Sequence, residues 1–102
     1  MSDLHLNVKT EYFEAIKRGE KTEEYRLRNT YWMKRLFHWY GADGYAPSGV
    51  AKVFDGVVIH NAYKSGDDNR LTFPWRGFTI RTITQPHFGP DPVTVFAIKL
   101  EK

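Results

Sequence analysis

Between residues 56 and 100 the chain is cut into short runs that leave no room for a long helix. GVVIHNAY, RLTFPWRGF, FTIRTIT and VTVFAIKL are rich in β-branched and aromatic residues, and KSGDDN and TQPHFGPDP separate them with turn formers. Such runs are expected to be strands, because branched and aromatic side chains suit a pleated surface while Gly, Pro, Asp and Asn interrupt it. Pro74 inside the second run has no amide to give to a ladder, which places that strand at an edge or a bulge.

The first forty residues mix both periods. Leu4, Leu6 and Val8 alternate with polar residues as a half-buried strand does. Thr10 is placed to cap a helix, Phe13 and Ile16 with Tyr12 form a two-turn apolar stripe, and Gly19 stands where a left-handed residue ends it. Residues 21–27 alternate again, with Thr22, Glu24 and Arg26 on one face and Glu23, Tyr25 and Leu27 on the other. Asn29 or Thr30 then caps a second helix, expected to run through Tyr40 on an apolar face that includes Trp32, Leu36 and Phe37. Gly41 ends it, and GADGYAPSG reads as a loop. At least two of Trp32, Trp39 and Trp75 are expected in the core. The expected fold class is α+β: one domain over residues 1–102, a small β-barrel of five to six mostly antiparallel strands with two helices at its rim. An α+β roll is the competing architecture.

Length and composition bound the function. A chain of 102 residues has room for one core. A net charge of +3 is compatible with a polyanionic partner. With no cysteine there is no disulfide framework, thiolate zinc site or cysteine nucleophile, which fits a reducing cytosol. MSDLHLNVKT lacks the apolar stretch of a signal peptide, and no run approaches the ~18 apolar residues of a membrane span, so a soluble, cytoplasmic protein is expected. His5, His38, His60 and His87 are scattered without ligand spacing; each reads as exposed, and neither metal nor cofactor is expected.

The candidate chemistry lies in GEKTEEYR. Glu24 and Arg26, two apart on a strand, leave the same face, and Lys21 sits at the turn after Gly19, so three charged groups can converge. Lys21 and Arg26 can neutralise a phosphate while Glu24 serves as general base. A solvated strand face laced with ion pairs would present the same residue types. Asn61 and Tyr63 end an apolar stripe, where an amide and a phenol can read or stack on a base, or simply finish the strand. Arg70 can add a phosphate contact.

GEKTEEYR resembles the G-x-K-x-x-E-x-R signature of ASCH domains, relatives of the PUA RNA-binding fold. The order around it agrees: strand and helix ending in the glycine, motif strand, the NTYWMKRL helix, and later the FDGVVIHNAY strand. The resemblance is to small bacterial and phage members and spans nearly the whole chain. It implies a PUA-like barrel whose cleft takes RNA, a nucleotide or a nucleoside, with Lys21, Glu24 and Arg26 as site residues. Some ASCH proteins are described as amidohydrolases acting on acetylated cytidine, others as ribonucleases. In the amidohydrolase branch the motif lysine activates a threonine, and that position is Glu24 here, with Thr22 two residues earlier. A ribonuclease, a nucleoside amidohydrolase and a non-catalytic RNA-binding module are the three expectations.

Overall fold

The computed structural model describes residues 2–40, 46–62 and 64–102, with backbone alone at 39, 40 and 46–48. Among the described residues it is α+β: β1 (Leu4–Val8), α1 (Thr10–Lys17), β2 (Glu23–Leu27), α2 (Thr30–Leu36), β3 (Phe37–Tyr40), β4 (Ala46–Ala51), β5 (Gly56–Asn61), β6 (Arg70–Pro74), β7 (Phe78–Ile83) and β8 (Val93–Lys99). The strands form three sheets, β1-β5-β6, β2-β8-β7 and β3-β4. None is closed on itself, and there are eight strands where five to six are expected. Two compact units result, one from Met1–Glu24, Val53–Phe78 and Ile98–Lys102, the other from Tyr25–Lys52 and Thr79–Ala97.

In the first unit β5 is the central strand, parallel to β1 and antiparallel to β6. Covered on both sides, it is buried at every position except His60, which is half-buried. Leu4, Leu6 and Val8 of β1 point inward by the alternation of the pleat. They meet Val57, Ile59, Phe73 and the α1 residues Phe13 and Ile16 in one core. Pro74 ends β6 on the outer side of this sheet, as its missing donor requires.

The cap of α1 departs from expectation. Lys9 is the N-cap and Thr10 the first helical residue, its hydroxyl donating instead to Asn61 Oδ1 at 2.8 Å. A partner buried on the neighbouring strand outcompetes the local amide. Gly19 does take the left-handed conformation (φ 80°), its amide donating to the Ile16 carbonyl at 3.1 Å.

In the second unit Asn29 caps α2, its side chain accepting from the Trp32 amide at 3.0 Å. The helix stops at Leu36 instead of Tyr40, and Phe37 is extended (φ −121°, ψ 151°). Four successive aromatic rings lose rotamer freedom in a helix and gain a ladder as a strand, so β3 forms and pairs antiparallel with β4. Part of the expected loop is therefore strand β4; residues 41–45 lie outside the described residues. Among the described residues, Leu36, Val95, Phe96 and Ala97 are the buried apolar residues of this unit. The tryptophans are not the core fillers expected: Trp32 and Trp75 are half-buried, Trp39's side chain lies outside the described residues, and among the described residues Phe13 and Phe96 are the largest fully buried side chains. An indole N–H that needs a partner favours such margins.

Candidate functional site

The turn after α1 builds the site. Beyond Gly19 the amides of Glu20 and Lys21 both donate to the Ala15 carbonyl, at 3.0 and 3.2 Å, folding the chain back along the helix. Lys21 Nζ thereby lies over the ring of Tyr12, 5.6 Å from its centroid, and 3.5 Å from Glu24 Oε1. Glu24 is 5 % exposed, and the Lys21 side chain 16 %. Both are withdrawn from water, so the solvated-face reading fails for this pair. A desolvated carboxylate is costly unless paired, and Lys21 supplies the charge.

Beside this turn a hollow of about 460 Å³ opens in the first unit. Leu71, Phe73 and Leu100 give it an apolar wall, and Lys17, Lys21 and Lys102 give it cationic groups. Lys102 Nζ lies 5.9 Å from the Phe73 ring centroid. Arg18 also lines the hollow, its guanidinium donating to both Glu20 oxygens at 3.1 and 3.0 Å. The volume is within the ~300–1,000 Å³ of small-ligand pockets, and the lining pairs a stacking or packing surface with anion-binding groups. Thr22 is on the wall; Glu24 is not among the lining residues and stands behind Lys21.

Among the described residues, Arg26, Asn61 and Arg70 do not line this hollow. Arg26 follows on β2 in the second unit, where its guanidinium lies 5.4 Å from the Trp32 ring centroid and donates to the Tyr25 carbonyl at 3.4 Å. Asn61 is buried, and both ends of its amide are engaged: Oδ1 accepts from Thr10, and Nδ2 donates to Asn69 Oδ1 at 3.0 Å. That is the strand-finishing role. Tyr63 lies outside the described residues. Arg70 is exposed and paired with Asp67 at a second hollow, about 470 Å³, on the outer face of the β1-β5-β6 sheet.

That face holds a pair the sequence conceals. His5 Nδ1 lies 2.9 Å from His60 Nε2, the rings stacked at 5.2 Å between centroids. His60 is held below the ordinary imidazole range, first by burial, then by His5 and the Arg70 charge. His5 is exposed as expected, but His60 is half-buried and the two are not isolated: parallel pairing of β1 with β5 sets Asn7 opposite His60 and His5 opposite Val58, so the two imidazoles are diagonal neighbours. Lys17 and Lys102 were also outside the expected site; only the basic last turn of α1 signalled the former.

Among the described residues no helix is long and apolar enough to cross a membrane, and no group of three or more His, Asp or Glu can hold a metal ion. Comparison with protein-family models, curated proteins and solved structures finds no match to this chain.

Proposed function

We propose that this chain binds a nucleotide or the phosphate of an RNA in the hollow beside Gly19, as a small ASCH-like protein of PUA-like architecture. The observation that carries the reading is Lys21 set on the wall of that hollow with the buried Glu24 carboxylate 3.5 Å behind it. An ammonium held between a carboxylate and a tyrosine face is oriented before ligand arrives, so little side-chain entropy is left to lose on binding. Lys17 and Lys102 add charge at the same opening, and Phe73 adds an aromatic wall. Because Glu24 stands behind Lys21, its role here is to position the lysine, and binding is favoured over cleavage with Glu24 as general base.

Titration with a 5′-phosphorylated oligoribonucleotide, a nucleoside monophosphate and the unphosphorylated nucleoside tests this. Phosphorylated ligands should bind, with log affinity falling against log salt by about 0.7 per contact for a strand. Lys21→Met should weaken them at least tenfold. Equal binding of nucleoside and nucleotide, or an unchanged Lys21→Met, rejects the reading. RNA recovered intact after long incubation separates a binder from a ribonuclease.

One observation favours a second reading. Thr22 and Lys21 share the wall of the hollow, a hydroxyl next to an amine. Amide hydrolysis on a modified nucleoside would use both, and release of cytidine from acetylated cytidine, lost in Thr22→Val, is its test.

A further inference from the structure

We infer that the exposed face of α2 is a stacking platform for single-stranded polynucleotide, independent of the hollow beside Gly19. From Tyr25 through Tyr40 the chain carries Arg26, Arg28, Lys34 and Arg35 and not one Asp or Glu. A stretch of one sign interleaved with aromatic rings suits a polyanion whose bases have π-faces.

The geometry is more particular than the composition. Tyr31 is 58 % exposed, among the most water-facing of the large apolar and aromatic side chains. One helical turn on, Arg35 Nη1 donates to the Tyr31 hydroxyl at 3.1 Å, and its guanidinium lies 5.9 Å from the Tyr31 centroid and 5.5 Å from that of Trp32. Arg26 approaches the same Trp32 ring at 5.4 Å. Tyr31 and Trp32 meet edge-on, at 5.1 Å and 88°. Guanidinium groups held against rings lose less freedom when they then meet a phosphate. An exposed phenol fixed by its own arginine offers a base a ring that is already oriented.

The partner is a strand because the two kinds of group alternate. Rings suit bases, the cations beside them suit the linking phosphates, and a folded duplex would present no free base face. An acidic peptide would use the arginines and leave the rings idle.

Fluorescence anisotropy with labelled ten-residue oligo(U), oligo(dT) and oligo-glutamate separates these partners. Both oligonucleotides should bind in preference to the peptide; oligo(U) alone would mean that the 2′-hydroxyl is also read. Tyr31→Ala should weaken oligonucleotide binding about 5- to 20-fold, as loss of one base–aromatic stack does, while Tyr31→Phe keeps the ring and stays within about threefold. Arg35→Gln should cost about 5- to 10-fold, and Lys64→Gln, which removes one exposed charge elsewhere, less than twofold. Equal effects of Arg35→Gln and Lys64→Gln would reduce the binding to net charge and overturn the platform. So would oligo-glutamate binding as tightly as oligo(U), or Tyr31→Ala binding like the parent with an unchanged thermal melt. Because Tyr31 and Arg35 line no part of the hollow, failure here leaves the Lys21 reading standing, and failure of Lys21→Met leaves this one.

Discussion

His5 and His60 share a single hydrogen bond, Nδ1 to Nε2 at 2.9 Å, across parallel strands. One ring must donate and the other accept, so a second proton would set two N–H groups against each other. Burial, His5 and Arg70 together hold His60 below its ordinary value, and Arg70 is itself engaged by Asp67. In the unfolded chain His60 titrates near the ordinary ~6.5, so between that pH and the lower folded value the unfolded state binds more protons. Stability should therefore be level above about pH 6.5 and fall as pH drops through the folded value. Urea midpoints at pH 7.5 and 5.5 should differ more in the parent than in His60→Gln; equal differences would show that His60 does not carry the effect. By proton NMR, His5→Gln should raise the His60 titration part of the way, since burial remains.

Lys21 and Glu24 should behave as one unit. Lys21→Met leaves the carboxylate desolvated and should cost about 1–3 kcal/mol in urea unfolding. Glu24→Gln should cost a similar amount. The double variant, with neither charge, should be less destabilised than the two single losses together, by about 1 kcal/mol or more. Strict additivity would mean that the pair is adjacent without interacting.

Much of this fold is legible in local pattern. Leu4, Leu6 and Val8 alternate and are buried in that order, and the unbroken run of Val95, Phe96, Ala97 and Ile98 marks a strand covered on both sides. Gly19 marks the helix exit because few other residues reach φ 80° without strain. The motif spacing put Lys21 and Glu24 together, but not the inward aim of Glu24, which sits on the charged rather than the aromatic face of its strand. Other features depend on pairing between distant segments. The end of α2 at Leu36 is hidden because the aromatic residues after it also fit helical spacing, and β4 is what draws them into a strand. Thr10 looks like a cap until Asn61 arrives from fifty-one residues away. Likewise nothing local joins His5 to His60.

Asn61 should be a structural residue whose cost is read in stability. Asn61→Leu strands the Thr10 hydroxyl and Asn69 Oδ1, the latter on a side chain whose own amide donates to the Ser65 carbonyl at 2.9 Å. A loss of about 1–2 kcal/mol follows from removing two side-chain hydrogen bonds, one to the exposed Thr10 and one to the half-buried Asn69. Asn61→Asp keeps an acceptor for Thr10 but buries a charge facing Asn69 Oδ1, which should push its pKa up. Its penalty should grow as pH rises from about 4 to 7, whereas that of Asn61→Leu stays level. Matching pH profiles would argue that water reaches the site.

Two glycines test two different reasons for being glycine. At Gly19 a Cβ would meet nothing within 4 Å, yet φ is 80°, so Gly19→Ala should cost about 1–2 kcal/mol through backbone strain alone. Asparagine tolerates that conformation, so Gly19→Asn should recover part of the loss. At Gly56 no positive φ is involved; a Cβ would stand 3.0 Å from the Phe73 carbonyl oxygen, inside the β5–β6 ladder, and 3.3 Å from Asp3 Oδ1. Neither alanine nor asparagine should be accepted there, and the larger side chain should be worse. Thermal unfolding of the four variants checks the contrast. Gly19→Ala carries a further consequence: the turn it strains holds the Lys21 amide on Ala15, so anion binding in the hollow should weaken beyond what the stability loss accounts for. Gly56→Ala should lower the melting temperature and leave the affinity of the folded fraction unchanged; an equal drop in affinity for both would break the link drawn between the helix exit and the aim of Lys21.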